Sequence, residues 1–77
     1  MSDTELCRKT AACYAIIAEG SGSPDVQIGY RKLESLWLEM ARWTRKLDFD
    51  NHEDIRQRIY ALAEQSGEIL RSLQTRH

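Results

Sequence analysis

Proline, glycine and β-branched residues are scarce in this chain of 77 residues, which contains one proline and four glycines. Strands are rich in β-branched residues and end at turns of glycine and proline, so these scarcities count against a β fold. Alanine, leucine, glutamate and arginine dominate instead, and each is a good helix former. The composition therefore favours an all-α protein.

Cysteine is also rare, with only Cys7 and Cys13, six residues apart. On a helix that spacing turns the two side chains about 120° from each other, so they cannot form a disulfide within one helix. We interpret both as small buried hydrophobic residues of a protein in a reducing, cytoplasmic compartment. No stretch reaches the roughly 18 apolar residues of a membrane helix. Asp3 and Glu5 also place negative charge where a secretion signal has a basic segment.

Positive and negative side chains nearly balance, and the formal net charge is −1. No overall field therefore attracts nucleic acid or a membrane. The length allows one domain, residues 1–77, with one small core, and self-association would add to its stability.

Motifs of catalysis, metal binding and nucleotide binding are missing as well. The only histidines, His52 and His77, have no sequence context that positions them beside a nucleophile. Residues 20–24 (GSGSP) lack the lysine and the preceding strand of a phosphate loop. Residues 48–54 carry four carboxylates, but Ile59 stands where a calcium-binding EF-hand needs glutamate. We predict no enzyme, no cofactor and no metal.

Hydrophobic periodicity and capping residues predict three helices, at about 3–19, 24–47 and 52–74. Ser2 and Glu5 have capping-box spacing. Ser23 suits an N-cap before the proline at position 24, and Asp50 or Asn51 suits the start of the third helix. We predict an all-α, three-helix arrangement in which the central helix is covered by the other two.

The central helix has an apolar arc of roughly 140°, wide enough to contact two neighbours. Gly29 lies on this arc and indicates close approach of another helix. The arc consists of Val26, Tyr30, Leu33, Leu36, Trp37, Met40, Trp43 and Leu47. The third helix has a narrower stripe of Ile55, Ile59, Leu62, Ser66, Ile69 and Leu73.

The first helix is apolar or small on nearly all sides. We expect its larger side to form the bundle core; that side consists of Leu6, Cys13, Ile16 and Ile17. The opposite side carries Cys7, Ala11, Ala15 and Ala18. It is either a solvated face of helix-forming alanines or a second buried face. We predict that it mediates a homodimer, since small side chains let two backbones approach closely.

The central helix also carries basic residues on the side away from its apolar arc. This set, the basic face of the helix, is Arg31, Leu38, Arg42, Arg45 and Lys46. It is either a solvated surface, a docking site for a protein with Leu38 as its apolar anchor, or a nucleic-acid contact. We predict a small regulatory module that binds a larger protein; the alternative is a transcription-associated protein that binds nucleic acid through this face.

One resemblance covers residues 7–47. A Cys-Arg pair, alanines, a short turn, an aromatic residue and a run similar to Leu-Ala-x-x-Trp resemble small helical-hairpin proteins of alphaproteobacteria. The matching residues are Cys7, Arg8, Ala18, Glu19, Pro24, Asp25, Tyr30, Leu33, Trp37 and Ala41. Here Pro24-Asp25 reverses the usual Asp-Pro order, and Ser35 replaces an apolar residue. The resemblance implies a bacterial, cytoplasmic, helical accessory protein.

Overall fold

Three α-helices make up the protein in the computed structural model, which describes residues 2–74. They are α1 (Asp3–Gly20), α2 (Pro24–Phe49) and α3 (Glu53–Gln74). Both α1 and α3 pack against α2, and α1 does so more extensively. Within residues 2–74 the backbones of α1 and α3 do not contact each other. The predicted all-α arrangement, with its central helix covered by the other two, is confirmed.

The starts of α1 and α2 use serine differently. The hydroxyl of Ser2 accepts a hydrogen bond from the backbone N–H of Glu5 at 3.2 Å, as the capping box predicts. The side chain of Ser23 makes no capping hydrogen bond, so the prediction for α2 is wrong in that detail. Pro24 still begins the helix, where its missing N–H leaves no donor unsatisfied.

The start of α3 also differs from the prediction. A tight turn, closed by a hydrogen bond of 2.8 Å from the N–H of His52 to the carbonyl of Asp50, precedes the helix. This turn places His52 immediately before α3, and its Nδ1 accepts from the N–H of Asp54 at 3.3 Å. The capping side chain is therefore His52 and not Asp50 or Asn51.

The contact between α1 and α2 is formed by small residues of α1 and large residues of α2. Cys7, Ala11 and Ala18 are buried on α1, and Ala18 has no exposed surface. On α2, Leu33 and Met40 are buried. Small side chains let the two backbones approach, and the longer side chains of α2 fill the space between the helices.

A pair of buried hydroxyls lies in the same contact. The side-chain oxygens of Thr4 and Thr44 are 3.0 Å apart. The Thr44 hydroxyl also donates to the carbonyl of Ala41 at 3.0 Å. Because Thr44 uses its single proton there, Thr4 is the donor in the pair. Both buried hydroxyls are satisfied, which keeps the desolvation cost of burying them low.

Aromatic side chains connect all three helices. The ring of Tyr14 on α1 stacks on Tyr30 of α2 with centroids 6.0 Å apart. It also meets Trp37 at 6.5 Å. The indole N–H of Trp37 donates to the hydroxyl of Ser66 on α3 at 3.0 Å. Trp37 thus links α1 and α3 although their backbones are not in contact.

The contact between α2 and α3 depends on Gly29, as predicted. A Cβ at position 29 would lie 2.7 Å from Cδ2 of Leu73. Leu62, Ser66 and Leu73 are the buried residues of α3. The predicted stripe of α3 therefore faces α2.

The prediction for α1 is wrong in its orientation. Leu6, Ile16 and Ile17 are 53%, 68% and 45% exposed, and Cys13 is exposed. The opposite side, expected to meet a second copy, instead meets α2: Cys7, Ala11 and Ala18 are buried and Ala15 is half-buried. Close packing favours the small side, because α2 already supplies the bulk that fills the contact.

Candidate interaction surfaces

The basic face of α2 lies on the surface along its whole length. All four of its cations are exposed, and Leu38 among them is 45% exposed. Because α1 and α3 cover other sides of α2, this face is open in a single copy of the chain.

Arg31 is the most constrained residue of the basic face. Its guanidinium lies 3.0 Å from a carboxylate oxygen of Glu34 and 3.8 Å from one of Glu19. Glu19 belongs to α1, so this ion pair spans the two helices at one end of the bundle. All three groups have solvent contact, and exposed pairs of this kind stabilise a fold by about 0–1 kcal/mol. The pairing mainly orients Arg31.

At the other end of the basic face, two cations make cation–π contacts with the ring of Trp43. The Lys46 ammonium lies 4.9 Å from the centroid of the indole ring. The Arg58 guanidinium, from α3, lies 5.4 Å from it. Such contacts are worth roughly 0.5–1 kcal/mol at exposed sites. Among described residues, Arg42 and Arg45 form no ion pair, which leaves their charges available to a partner.

The basic face is divided between two sides of the molecule. Arg42 and Lys46 lie beside Trp43 and Glu39. Arg45 lies on the other side, near the start of α1, with Arg8 and Asp48. Arg31 borders a third depression, which lies between α2 and α3. The predicted residues share one exposed helix side, but they do not converge on one pocket.

A groove of about 630 Å³ lies between α2 and α3. We call it the α2–α3 groove; it is lined by Gln27, Ile28, Arg31, Lys32, Ser35, Leu36, Glu39, Gln65 and Ile69. Ile28 is 55% exposed. Of these residues, only Arg31 is among the predicted binding residues. The sequence signal that could have indicated the groove is Leu36, which lies at the edge of the apolar arc of α2, where the neighbouring helix covers it only in part.

The outer face of α1 is the second exposed apolar surface. We use this name for Leu6, Cys13, Ile16 and Ile17. Positions 6, 13 and 17 recur at helical spacing and form one stripe, with position 16 beside it. The stripe itself carries no charged residue, but the exposed Lys9 lies between it and position 16, one turn from Leu6 and from Cys13. An exposed apolar stripe of this kind is typical of an interface.

The two thiols lie in contrasting environments. Burial raises the pKa of the Cys7 thiol, the carboxylate of Asp3 raises it further, and a hydrogen bond with Thr44 opposes both. Cys13 is exposed, and both thiols are free. The prediction of a buried residue is confirmed for Cys7 and wrong for Cys13, because α1 faces α2 with the other side.

Titratable groups elsewhere do not cluster. Within residues 2–74, no group of three histidine, cysteine or acidic side chains is placed to hold a metal ion. His52 caps α3, and His77 lies outside the described residues. Burial also raises the pKa of Tyr14, with Tyr30 and Cys13 adding smaller effects in the same direction. In the described part of the chain, no helix is long and apolar enough to span a membrane.

Comparison of the chain with protein-family models, with curated proteins and with solved structures gives no match. The resemblance to alphaproteobacterial helical hairpins therefore stays a prediction.

Proposed function

We propose that this protein is a small interaction module that regulates a larger protein by binding to it through the basic face of α2. One observation carries the proposal. Among residues 2–74, seven large apolar side chains are at least 45% exposed, Leu38 of the basic face among them, whereas four, Leu33, Met40, Leu62 and Leu73, are buried. Single exposed apolar residues are ordinary. An excess of exposed over buried ones is costly in water unless a partner covers them.

A protein fits the basic face better than nucleic acid does. The chain as a whole has a net charge of −1, so its field does not concentrate it on phosphate. Leu38 lies between the cations and offers a contact that a phosphate backbone does not use. Interfaces between proteins combine arginine with apolar residues in this way.

The test is capture of partners from cells of the source organism, compared between variants. Arg42→Glu with Arg45→Glu reverses two charges of the basic face. Arg56→Glu with Arg71→Glu makes the same charge change on exposed positions of α3. We expect the first variant to lose the proteins captured by the natural chain and the second to retain them. Equal capture by both variants contradicts the proposal.

A titration with random duplex DNA separates the alternative function. Non-specific protein–DNA binding has a Kd of about 10⁻⁴–10⁻⁶ M and weakens steeply as salt increases. We expect no binding tighter than that range. A submicromolar Kd with a steep salt dependence supports the nucleic-acid function instead.

We also propose that the protein is a homodimer, with its interface moved from the small side of α1 to the outer face of α1. Two-fold dimers are the commonest closed assembly. The stripe at positions 6, 10, 13 and 17 is centred on the middle of the Asp3–Gly20 helix. In an antiparallel pair Leu6 therefore meets Ile17 of a second copy. The four seam positions carry no charge, and Lys9 lies beside them.

Light scattering coupled to size exclusion tests the dimer. We expect a dimer for the natural chain and a monomer for Ile17→Glu, because the new carboxylate would lie in the seam and be buried without a partner charge. Phe49→Glu is the matched control, since position 49 is exposed on α2, and it should remain a dimer. A natural chain that is monomeric at high micromolar concentration rules the dimer out.

We also propose that the protein works in a reducing cytoplasm and, from its resemblance to alphaproteobacterial proteins, that its source is bacterial. Two free thiols, one of them exposed, fit a reducing compartment, where disulfides are rare.

A further inference from the structure

The α2–α3 groove continues beyond its central depression in both directions. Towards the start of α2, a second depression shares Ile28, Lys32 and Ile69 with it and extends to Asp25. Towards the end of α2, a third shares Glu39 with it and extends to Lys46. The extended groove thus follows α2 from position 25 to position 46. At a rise of 1.5 Å per residue this is about 30 Å, the length of a helix of roughly 20 residues.

Apolar side chains form the floor of the extended groove. Ile28, Leu36 and Ile69 line its centre. Leu73 lies at one end and Trp43 at the other. A floor that repeats along two antiparallel helices suits a ligand with apolar groups at regular intervals along its length. It does not suit a compact small molecule, which binds in an enclosed pocket.

The charges of the extended groove lie mainly on its α2 side and are mainly positive. Four cations line it, Arg31, Lys32, Arg42 and Lys46, against the two carboxylates of Asp25 and Glu39. Around the first two depressions the α3 side is lined by the uncharged residues Gln65, Ile69, Ser72 and Leu73. At the third, Arg58 of α3 adds a further cation beside Trp43. Neither Lys32 nor Arg42 forms an ion pair with a described residue. The complementary ligand therefore has carboxylates along the edge that faces α2.

The backbone of the ligand must also be satisfied. Both walls are α-helices, whose central N–H and C=O groups are already paired internally. An extended peptide would find no strand edge to pair with. A helix satisfies its own backbone and presents apolar residues three and four positions apart, as in other helix-in-groove complexes.

We infer that the α2–α3 groove binds an amphipathic, acidic α-helix of a partner protein. Its apolar residues lie on Ile28, Leu36 and Ile69, and its carboxylates face Lys32 and Arg42. This inference rests on the proposed function and names the chemistry of the partner.

A peptide display library tests the inference with the intact chain as target. The probes are peptides of about 20 residues, the length that fits the groove. Leucine is fixed at i, i+4, i+7 and i+11, and the remaining positions vary among glutamate, lysine, glutamine and alanine. We expect glutamate to be enriched over lysine beside the leucines. No enrichment, or enrichment of lysine, overturns the inference.

The enriched peptide is then titrated against variants by fluorescence anisotropy. Ile28→Glu and Lys32→Glu change exposed positions, and thermal melts should confirm that both variants fold. Each should raise the Kd at least about tenfold, because it adds a negative charge that faces the acidic peptide. Arg56→Glu, on α3 away from the groove lining, should change it less than about twofold. Equal binding by Ile28→Glu and the natural chain overturns the groove as the site.

Partner capture separates the inference from the proposed function. If Arg42→Glu with Arg45→Glu loses the captured proteins while Ile28→Glu retains them, the groove inference fails and the proposed function stands. If both retain them, the proposed function fails as well. Loss in both, with retention by the α3 control, supports the two together.

Discussion

The inner face of α1 carries Cys7, Ala11 and Ala18 against α2, whereas its outer face presents Leu6, Ile16 and Ile17 to solvent. A helix that packs on one neighbour ordinarily buries its larger apolar residues. Helix α3 follows that rule, since Leu62 and Leu73 are buried against α2. Helix α1 reverses it.

Two separate properties set the orientation of a helix. Small inner residues allow the close approach that brings Thr4 to Thr44 and Tyr14 to Tyr30. The rotation of α1 that places these groups inward turns the aliphatic residues outward. Their exposure in a single copy is the physical reason to propose that a second copy covers them.

The largest effect is expected when the same charge is placed on the inner and on the outer face of α1. Ala11→Glu puts an unpaired carboxylate at a position that is 1% exposed. It should lower the free energy of unfolding by roughly 3–5 kcal/mol, the cost of an uncompensated buried charge. Ile17→Glu, on the outer face, should leave the melt of the monomer nearly unchanged. Denaturant titrations compare them, and equal losses would mean that the two faces are not distinct.

A second test concerns the bridge from α1 to α3. Trp37→Ala removes the contact with Tyr14 and the hydrogen bond to Ser66. Because Trp37 is half-buried, we expect a loss of about 2–4 kcal/mol, slightly below that of a fully buried tryptophan. Leu38→Ala, on the exposed side of α2, should cost less than about 0.5 kcal/mol. Denaturant melts in which Leu38→Ala costs as much as Trp37→Ala would contradict the orientation of α2.

A third test concerns the hydroxyls on the inner face. Thr44→Val leaves the buried hydroxyl of Thr4 without its acceptor, which should cost about 1–3 kcal/mol. Adding Thr4→Val removes the unsatisfied group, so the double variant should be more stable than Thr44→Val alone. A double-mutant cycle measured by thermal melts gives this coupling. Strictly additive losses would mean that the two hydroxyls do not interact.

Much of the fold could be predicted from the sequence, because its signals are local. Periodicity and capping residues located all three helices, and the stripes of α2 and α3 gave their orientations. Gly29 indicated the close approach that Leu73 makes. Each of these rests on residues close together along the chain, where helix geometry fixes which side chains share a face.

The orientation of α1 and the α2–α3 groove could not be predicted in this way. Helix α1 is apolar on both sides, so periodicity allows either side to face α2. The choice depends on volume: α2 brings Leu33 and Met40 to the contact, and α1 must leave space for them. The groove depends on residues about 30 to 40 positions apart, such as Ile28 and Ile69. No local pattern predicts that separation.

The two cysteines report directly on whether α1 turns its small side inward, because Cys7 lies on the inner face and Cys13 on the outer face. Trypsin cleaves after Arg8 and Lys9, so Cys7 and Cys13 fall on different peptides and mass spectrometry can follow their alkylation separately. The experiment uses folded Ile17→Glu, in which a second copy cannot cover Cys13. We expect iodoacetamide to modify Cys13 at least about tenfold faster, since burial and a raised pKa both suppress the Cys7 thiolate. Modification of Cys7 as fast as Cys13, or faster, would contradict the account.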